Sequence, residues 1–185
     1  LMDAMVEILK QDNAQSKNYA AYFFLYLSSN LKNHEKLIKV EGLMEAMVEI
    51  LKQGDEEPKK YAADFFLYLS SNLENHEKLI ANQALMGAMV NFLNGNNAGF
   101  KNLGVEFFKN LSTQTKNHEK LIANQALMEA MVNFLNGNST DFKNLGVEFF
   151  KNLSTQNSLY LNLPLGIVTK VKLFILFNLT NCLNV

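Results

Sequence analysis

The chain has 185 residues, 48% of them hydrophobic, and its 17 basic and 18 acidic side chains leave a formal net charge of −1. That balance lacks the basic excess or basic stripe through which a protein releases counterions from phosphates, so a dedicated nucleic-acid surface is not expected. A lone cysteine, Cys182, excludes an intrachain disulfide and fits a reducing intracellular compartment, most simply the cytoplasm.

Leu-Met recurs at Leu1, Leu43, Leu85 and Leu127, a constant step of 42 residues. A fixed period of this length marks a tandem-repeat array. Each unit of such an array buries its apolar face on its neighbours, and the array then exposes a long surface rather than a catalytic pocket. Residue 1 is Leu and the sequence opens inside a repeat, so the expectation is a fragment of a longer chain.

Residues 43–84 display one unit whole. From Leu43 to Lys52 the apolar positions cover most of a helix circumference and leave a narrow polar stripe at Glu45, Glu49 and Lys52, which predicts a buried helix. Gly54 follows its end, Asp55 can cap the next start, and Pro58 suits a first helical turn. A second helix is expected from Pro58 to Ser71, with Tyr61, Ala62, Phe65, Phe66 and Leu69 at helical spacing and small Ala62 and Ala63 admitting a close neighbour. A third, short helix is expected over Asn75–Ile80, with Asn75 as its cap and Glu77 near the positive end of its dipole. Burial is predicted for Met47, Val48, Leu51, Phe65, Phe66, Leu69 and Leu79 and for their counterparts one period away.

Four stretches repeat a common last-helix pattern: AAYFFLYLS at Ala20–Ser28, AADFFLYLS at Ala62–Ser70, and GVEFFKNLS at both Gly104–Ser112 and Gly146–Ser154. With its period and three helices per unit, this pattern resembles the armadillo repeat over residues 1 to about 156. The related HEAT repeat has a similar period but usually two helices, so the third helix favours armadillo. The implied fold is all-α: a right-handed α-solenoid of about four armadillo repeats, starting at 1, 43, 85 and 127, with an irregular C-terminal segment at 157–185. That segment lacks NHEKLI and LMxAMV, yet Lys172–Leu183 reads like the end of a last helix. It is either a shortened capping unit or a non-native tail. A membrane span needs about 20 apolar residues, and Lys170, Lys172, Asn178 and Asn181 interrupt this run.

Chemistry-bearing residues are few. His34, His76 and His118 occupy one repeat position, and helices packed about 8–10 Å apart keep such equivalents from sharing one metal, whose ligands each lie about 2 Å from it. They are read as first-turn helix residues. Cys182 has no adjacent base or basic cluster to activate it and is read as an inert thiol. The strings at Asn110–Ser112, Asn152–Ser154 and Asn178–Thr180 fall within helical stretches and are read as chance glycosylation matches. No enzyme activity, cofactor or metal is expected.

In armadillo folds the last helix of each unit lines the concave face. The resemblance therefore implies a peptide-binding groove built from Asn18, Tyr22 and Tyr26; Lys60, Asp64 and Tyr68; Asn102, Glu106 and Asn110; and Asn144, Glu148 and Asn152. Each triplet has i, i+4, i+8 spacing, which keeps it near one helical face. A solvated polar face is the plain alternative, and the tyrosines favour binding because they combine apolar area with a hydrogen-bonding tip. In importin-alpha, paired Trp and Asn fill the later two positions of each triplet. This chain has no Trp, keeps Asn at Asn110 and Asn152, and has Glu106 and Glu148 in the Trp places. The Lys and Arg rows of beta-catenin-type grooves are absent as well. The expectation is a non-catalytic scaffold that binds an extended, neutral-to-basic peptide or protein segment. The alternatives are the substrate-recognition arm of a larger enzyme such as a ubiquitin ligase, and a spacer that binds nothing.

Overall fold

A computed structural model of the chain describes residues 1–137 and 143–154. The irregular C-terminal segment at 157–185, expected as a shortened cap or a non-native tail, and with it Cys182 and the Asn178–Thr180 string, lies outside the described residues.

Among the described residues there are eleven α-helices and no strand. They are α1 (Met2–Lys10), α2 (Ala14–Ser28), α3 (His34–Leu37), α4 (Leu43–Gln53), α5 (Glu56–Ser70) and α6 (His76–Ala81), followed by α7 (Gln83–Asn94), α8 (Ala98–Leu111), α9 (His118–Ala123), α10 (Gln125–Asn136) and α11 (Lys143–Ser154). Short 3-10 turns at Leu31–Asn33, Leu73–Asn75 and Thr115–Asn117 lead into α3, α6 and α9. One short helix and two long ones thus recur with the period read from the sequence.

The chain divides into two compact units, Leu1–Met89 and Val90–Val185. In the first, α2 packs along α5, α1 lies against α4, and the hairpins α1–α2 and α4–α5 close each repeat. In the second, α11 packs along α8, while α10 contacts α9 and α11. Met47, Val48, Leu51, Phe65, Phe66, Leu69 and Leu79 are all buried, Phe66 completely. The same positions are buried in the third and fourth repeats wherever they are described. In each last helix the adjacent Phe pair meets edge-on, with ring centroids 5.1–5.2 Å apart, a favoured aromatic geometry. The first repeat departs from the expectation, because Met5, Phe23 and Leu27 are only half-buried. In the second repeat α1 and α2 cover the equivalent side, and no described helix does so in the first.

Helix ends supply further corrections. Asp55 stands at the start of α5, yet its side chain accepts no backbone bond. The equivalent Asn13 and Asn97 do cap, accepting from the amides of Ser16 at 2.9 Å and Phe100 at 3.2 Å. The difference is Pro58, which occupies the third helical position and has no N–H to donate. Asn75 does not cap α6 with its side chain either. Asn72 caps the preceding turn by accepting from Glu74 N at 3.1 Å. Helices α7 and α10 begin at Gln83 and Gln125, two residues before the Leu-Met pairs, because Asn82 and Asn124 accept from the amides of Leu85 and Leu127 at 3.0 Å. The second repeat enters α4 differently, through Gly42 at φ 71°, a conformation that costs a residue without Cβ least. Gly54 ends α4 in extended rather than left-handed backbone. A Cβ there would lie 2.6 Å from Ile50 O, so close approach selects glycine at that turn.

Candidate functional site

The histidines have a structural task. The Nε2 atoms of His34, His76 and His118 lie 2.6, 2.7 and 2.8 Å from the carbonyl oxygens of Ser28, Ser70 and Ser112. A carbonyl only accepts, so each Nε2 carries the proton and donates it. The preceding Asn33, Asn75 and Asn117 donate Nδ2 to the carbonyls of Leu27, Leu69 and Leu111 at 2.9, 3.0 and 2.8 Å. Each Asn-His pair thereby satisfies carbonyls that the end of α2, α5 or α8 leaves without helical partners. All three rings are buried. The recurrence of Asn-His six residues after a helix-ending Leu-Ser was the sequence signal for this clamp. Among the described residues no group of three or more His, Cys, Asp or Glu could hold a metal ion.

The expected groove residues sit on α2, α5, α8 and α11. On α2, Tyr22 and Tyr26 are 52% and 70% exposed, and on α5 Tyr68 is 43% exposed. Lys60 is exposed and Asp64 half-buried. On α8, Asn102, Glu106 and Asn110 are half-buried; on α11, Asn144 and Glu148 are exposed and Asn152 is half-buried. Because α2 packs on α5 and α11 on α8, each unit brings together two of the four triplets.

Asn18 and Asn152 are bound into the framework. Asn18 donates Nδ2 to Glu57 Oε2 at 2.9 Å, tying α2 to the start of α5. Asn152 donates Nδ2 to Ser112 Oγ at 2.9 Å, tying α11 to the end of α8. Two tyrosines outside the expected set also matter. Tyr61 donates its hydroxyl to Glu57 Oε1 at 2.9 Å, and its ring meets Tyr22 edge-on at 5.4 Å. The hydrogen bond to Glu57, then burial, hold the Tyr61 phenol above the ordinary tyrosine pKa, because both disfavour the phenolate. Tyr19, 64% exposed, is the second. Its place one residue beyond Asn18 in an aromatic-rich helix was its only sequence signal.

A cavity of about 400 Å³ opens at another edge of the first unit, between the α1–α2 and α4–α5 turns, where Lys17, Glu49 and Asp55 border a floor that includes Leu9, Ile50 and Pro58. None of the tyrosines lines it. No helix among the described residues is long and apolar enough to cross a membrane.

No family model matches the sequence, and no curated protein does. Solved structures are similar. A designed armadillo repeat protein in complex with the peptide (KR)4 is 21% identical, with a TM-score of 0.75, over 97% of this chain and 73% of its own. Computationally designed armadillo repeat proteins for modular peptide recognition are 21% identical, with a TM-score of 0.77, over 94% of this chain and 70% of theirs. An engineered protein at 17% identity has a TM-score of 0.73 over 94% of this chain and 69% of its own. The chain has the armadillo-repeat α-solenoid fold.

Proposed function

We propose that this chain is a non-catalytic scaffold that binds an extended peptide segment across its last helices. The observation that carries the reading is the exposure of Tyr26 and Tyr68 at matching positions on α2 and α5, with Tyr22 exposed one turn before Tyr26. Large aromatic side chains left open to solvent at a repeated position offer apolar area and a hydrogen-bonding tip, the usual properties of binding anchors. An extended strand advances about 3.3 Å per residue, so one helix spacing of about 10 Å matches about three ligand residues per repeat.

The ligand we infer is neutral-to-basic. Glu106 and Glu148 point the chemistry that way, with Asp64 adding to it and Lys60, Lys109 and Lys151 partly offsetting it. A designed protein of the same fold was solved with (KR)4, which supports basic peptides as the first probes. Asn18 and Asn152 already serve the framework, so the reading gives them a positioning role and leaves contact to the tyrosines and glutamates. Affinity should fall as salt rises, because exposed charge pairs are screened.

The test is fluorescence anisotropy with a labelled (KR)4 peptide and an acidic peptide of equal length. Binding that favours (KR)4 and weakens in Tyr26→Ala and Tyr68→Ala supports the reading. Equal binding of both peptides by the parent chain, or no change in the tyrosine variants, removes it.

A further inference from the structure

The cavity between the α1–α2 and α4–α5 turns, about 400 Å³ in volume, has the size of a site for a small organic ligand. Its floor includes Leu9, Ile50 and Pro58, all three buried. One period on, Phe92 and Phe100 stand in the places of Ile50 and Pro58, and their rings pack on each other with centroids 4.7 Å apart. Isoleucine and proline have less side-chain volume than this aromatic pair and leave the floor open. The rim changes together with the floor. Glu49 and Asp55 line the cavity, where the third repeat has the neutral Asn91 and Asn97.

Pro58 links the two differences. Asn97 uses its side chain to accept from the amide of Phe100 at 3.2 Å. A proline has no N–H to offer, so Asp55 makes no such bond and its carboxylate stays free beside the cavity. Asp12, Glu49 and Asp55 all line the cavity, and none enters an ion pair among the described residues. Of the two lysines that line it, Lys10 already pairs with Glu7 at 2.7 Å. Three carboxylates are thus set against the single unpaired ammonium of Lys17. Beside an apolar wall the effective dielectric is lower than in open water, and a carboxylate there attracts a cation more strongly.

We propose that this cavity binds a small organic cation, a protonated primary amine carried on an apolar body. An ammonium has three donors and no acceptor, which suits a rim of unpaired carboxylates. The apolar body covers Leu9, Ile50 and Pro58, and removal of that area from water drives the binding. The inference goes beyond the peptide-binding reading and does not rest on it, since none of the tyrosines lines the cavity.

The experiment titrates the full chain, isotope-labelled at its Leu and Ile methyl groups, with three probes that share an indole ring: tryptamine, the neutral tryptophol and the anionic indole-3-propionate. Tryptamine should shift the Leu9 and Ile50 methyl signals to saturation. Tryptophol should bind about threefold or more weakly, as the loss of exposed charge pairs implies, and indole-3-propionate more weakly still. Glu49→Asn with Asp55→Asn installs the third repeat's residues at two exposed positions and should lower the tryptamine affinity to that of tryptophol. Ile50→Phe with Pro58→Phe should abolish the Leu9 shift by filling the floor; if that variant does not fold, the asparagine pair decides alone. The proposal is overturned by an absence of saturable shifts at Leu9 and Ile50, by equal affinity for the three probes, or by unchanged tryptamine affinity in the asparagine variant. Tryptamine shifts confined to residues around Tyr26 and Tyr68 would assign the amine to the peptide surface and overturn it as well.

Discussion

The two compact units share a frame and differ in what they show to solvent. Both carry buried Phe pairs, Phe65–Phe66 in the first and Phe107–Phe108 in the second, and both use a buried Asn-His clamp at a helix end. On the last helices, however, the first unit offers Tyr22, Tyr26 and Tyr68, where the second has Glu106, Asn110, Glu148 and Asn152 at the same repeat positions. The difference follows from packing. Buried positions touch several neighbours at interior density and admit little change, while positions facing water pay almost nothing for a new side chain. One frame can therefore carry an aromatic surface in one unit and an acidic, amide-rich surface in the other.

The largest effects should be equal in the two units if the frame is shared. Phe66→Ala and Phe108→Ala each remove a completely buried ring and should destabilise by about 3–5 kcal/mol, read by urea unfolding. A marked inequality would mean that the two cores are not equivalent. Next, His76→Phe and His118→Phe keep the ring volume but leave the Ser70 and Ser112 carbonyls without their donor, at a cost of about 1–3 kcal/mol each. Loss of slow hydrogen exchange at the ends of α5 and α8 would locate that cost.

Surface changes should separate the units. Tyr26→Ala and Tyr68→Ala should weaken peptide binding regardless of peptide charge, by about 1–2 kcal/mol each if they are anchors. Glu106→Lys with Glu148→Lys should instead shift preference from (KR)4 toward the acidic peptide, by less than about 1 kcal/mol per charge. Unchanged preference in a variant whose circular dichroism is intact would remove the electrostatic half of the reading.

The smallest effect is the ionisation of Tyr61. Its pKa is raised in the folded chain, by the hydrogen bond to Glu57 first. The sign follows: the stabilisation is fully present below the unfolded tyrosine pKa and is lost as pH rises through the higher folded value. Ultraviolet titration should find a tyrosine that ionises above the ordinary tyrosine value, and Glu57→Gln should bring it back toward that value. Because Glu57 accepts from Asn18 through Oε2 and from Tyr61 through Oε1, a glutamine there keeps one of the two acceptors, so the same variant should loosen α2 from α5; in the second unit the corresponding tie runs from Asn152 to Ser112.

The sequence by itself determined the period, the three helices of each of the first three repeats and the buried residues Met47, Phe66 and Leu69. Helical periodicity and apolar pattern are local, written within a turn or two of the residues concerned. Helix entry was half legible: Asp55 looked like a cap, and only the observed start of α5 put Pro58 where the donor was needed. The tertiary structure alone decided the rest. Asn18 reads as a groove residue until α5 brings Glu57 to its amide, and the Asn-His pairs read as a helix start until their side chains are seen reaching back to carbonyls six residues upstream. Whether a polar side chain faces ligand or framework depends on which partners the fold brings within hydrogen-bonding distance, and spacing along one helix carries no record of that.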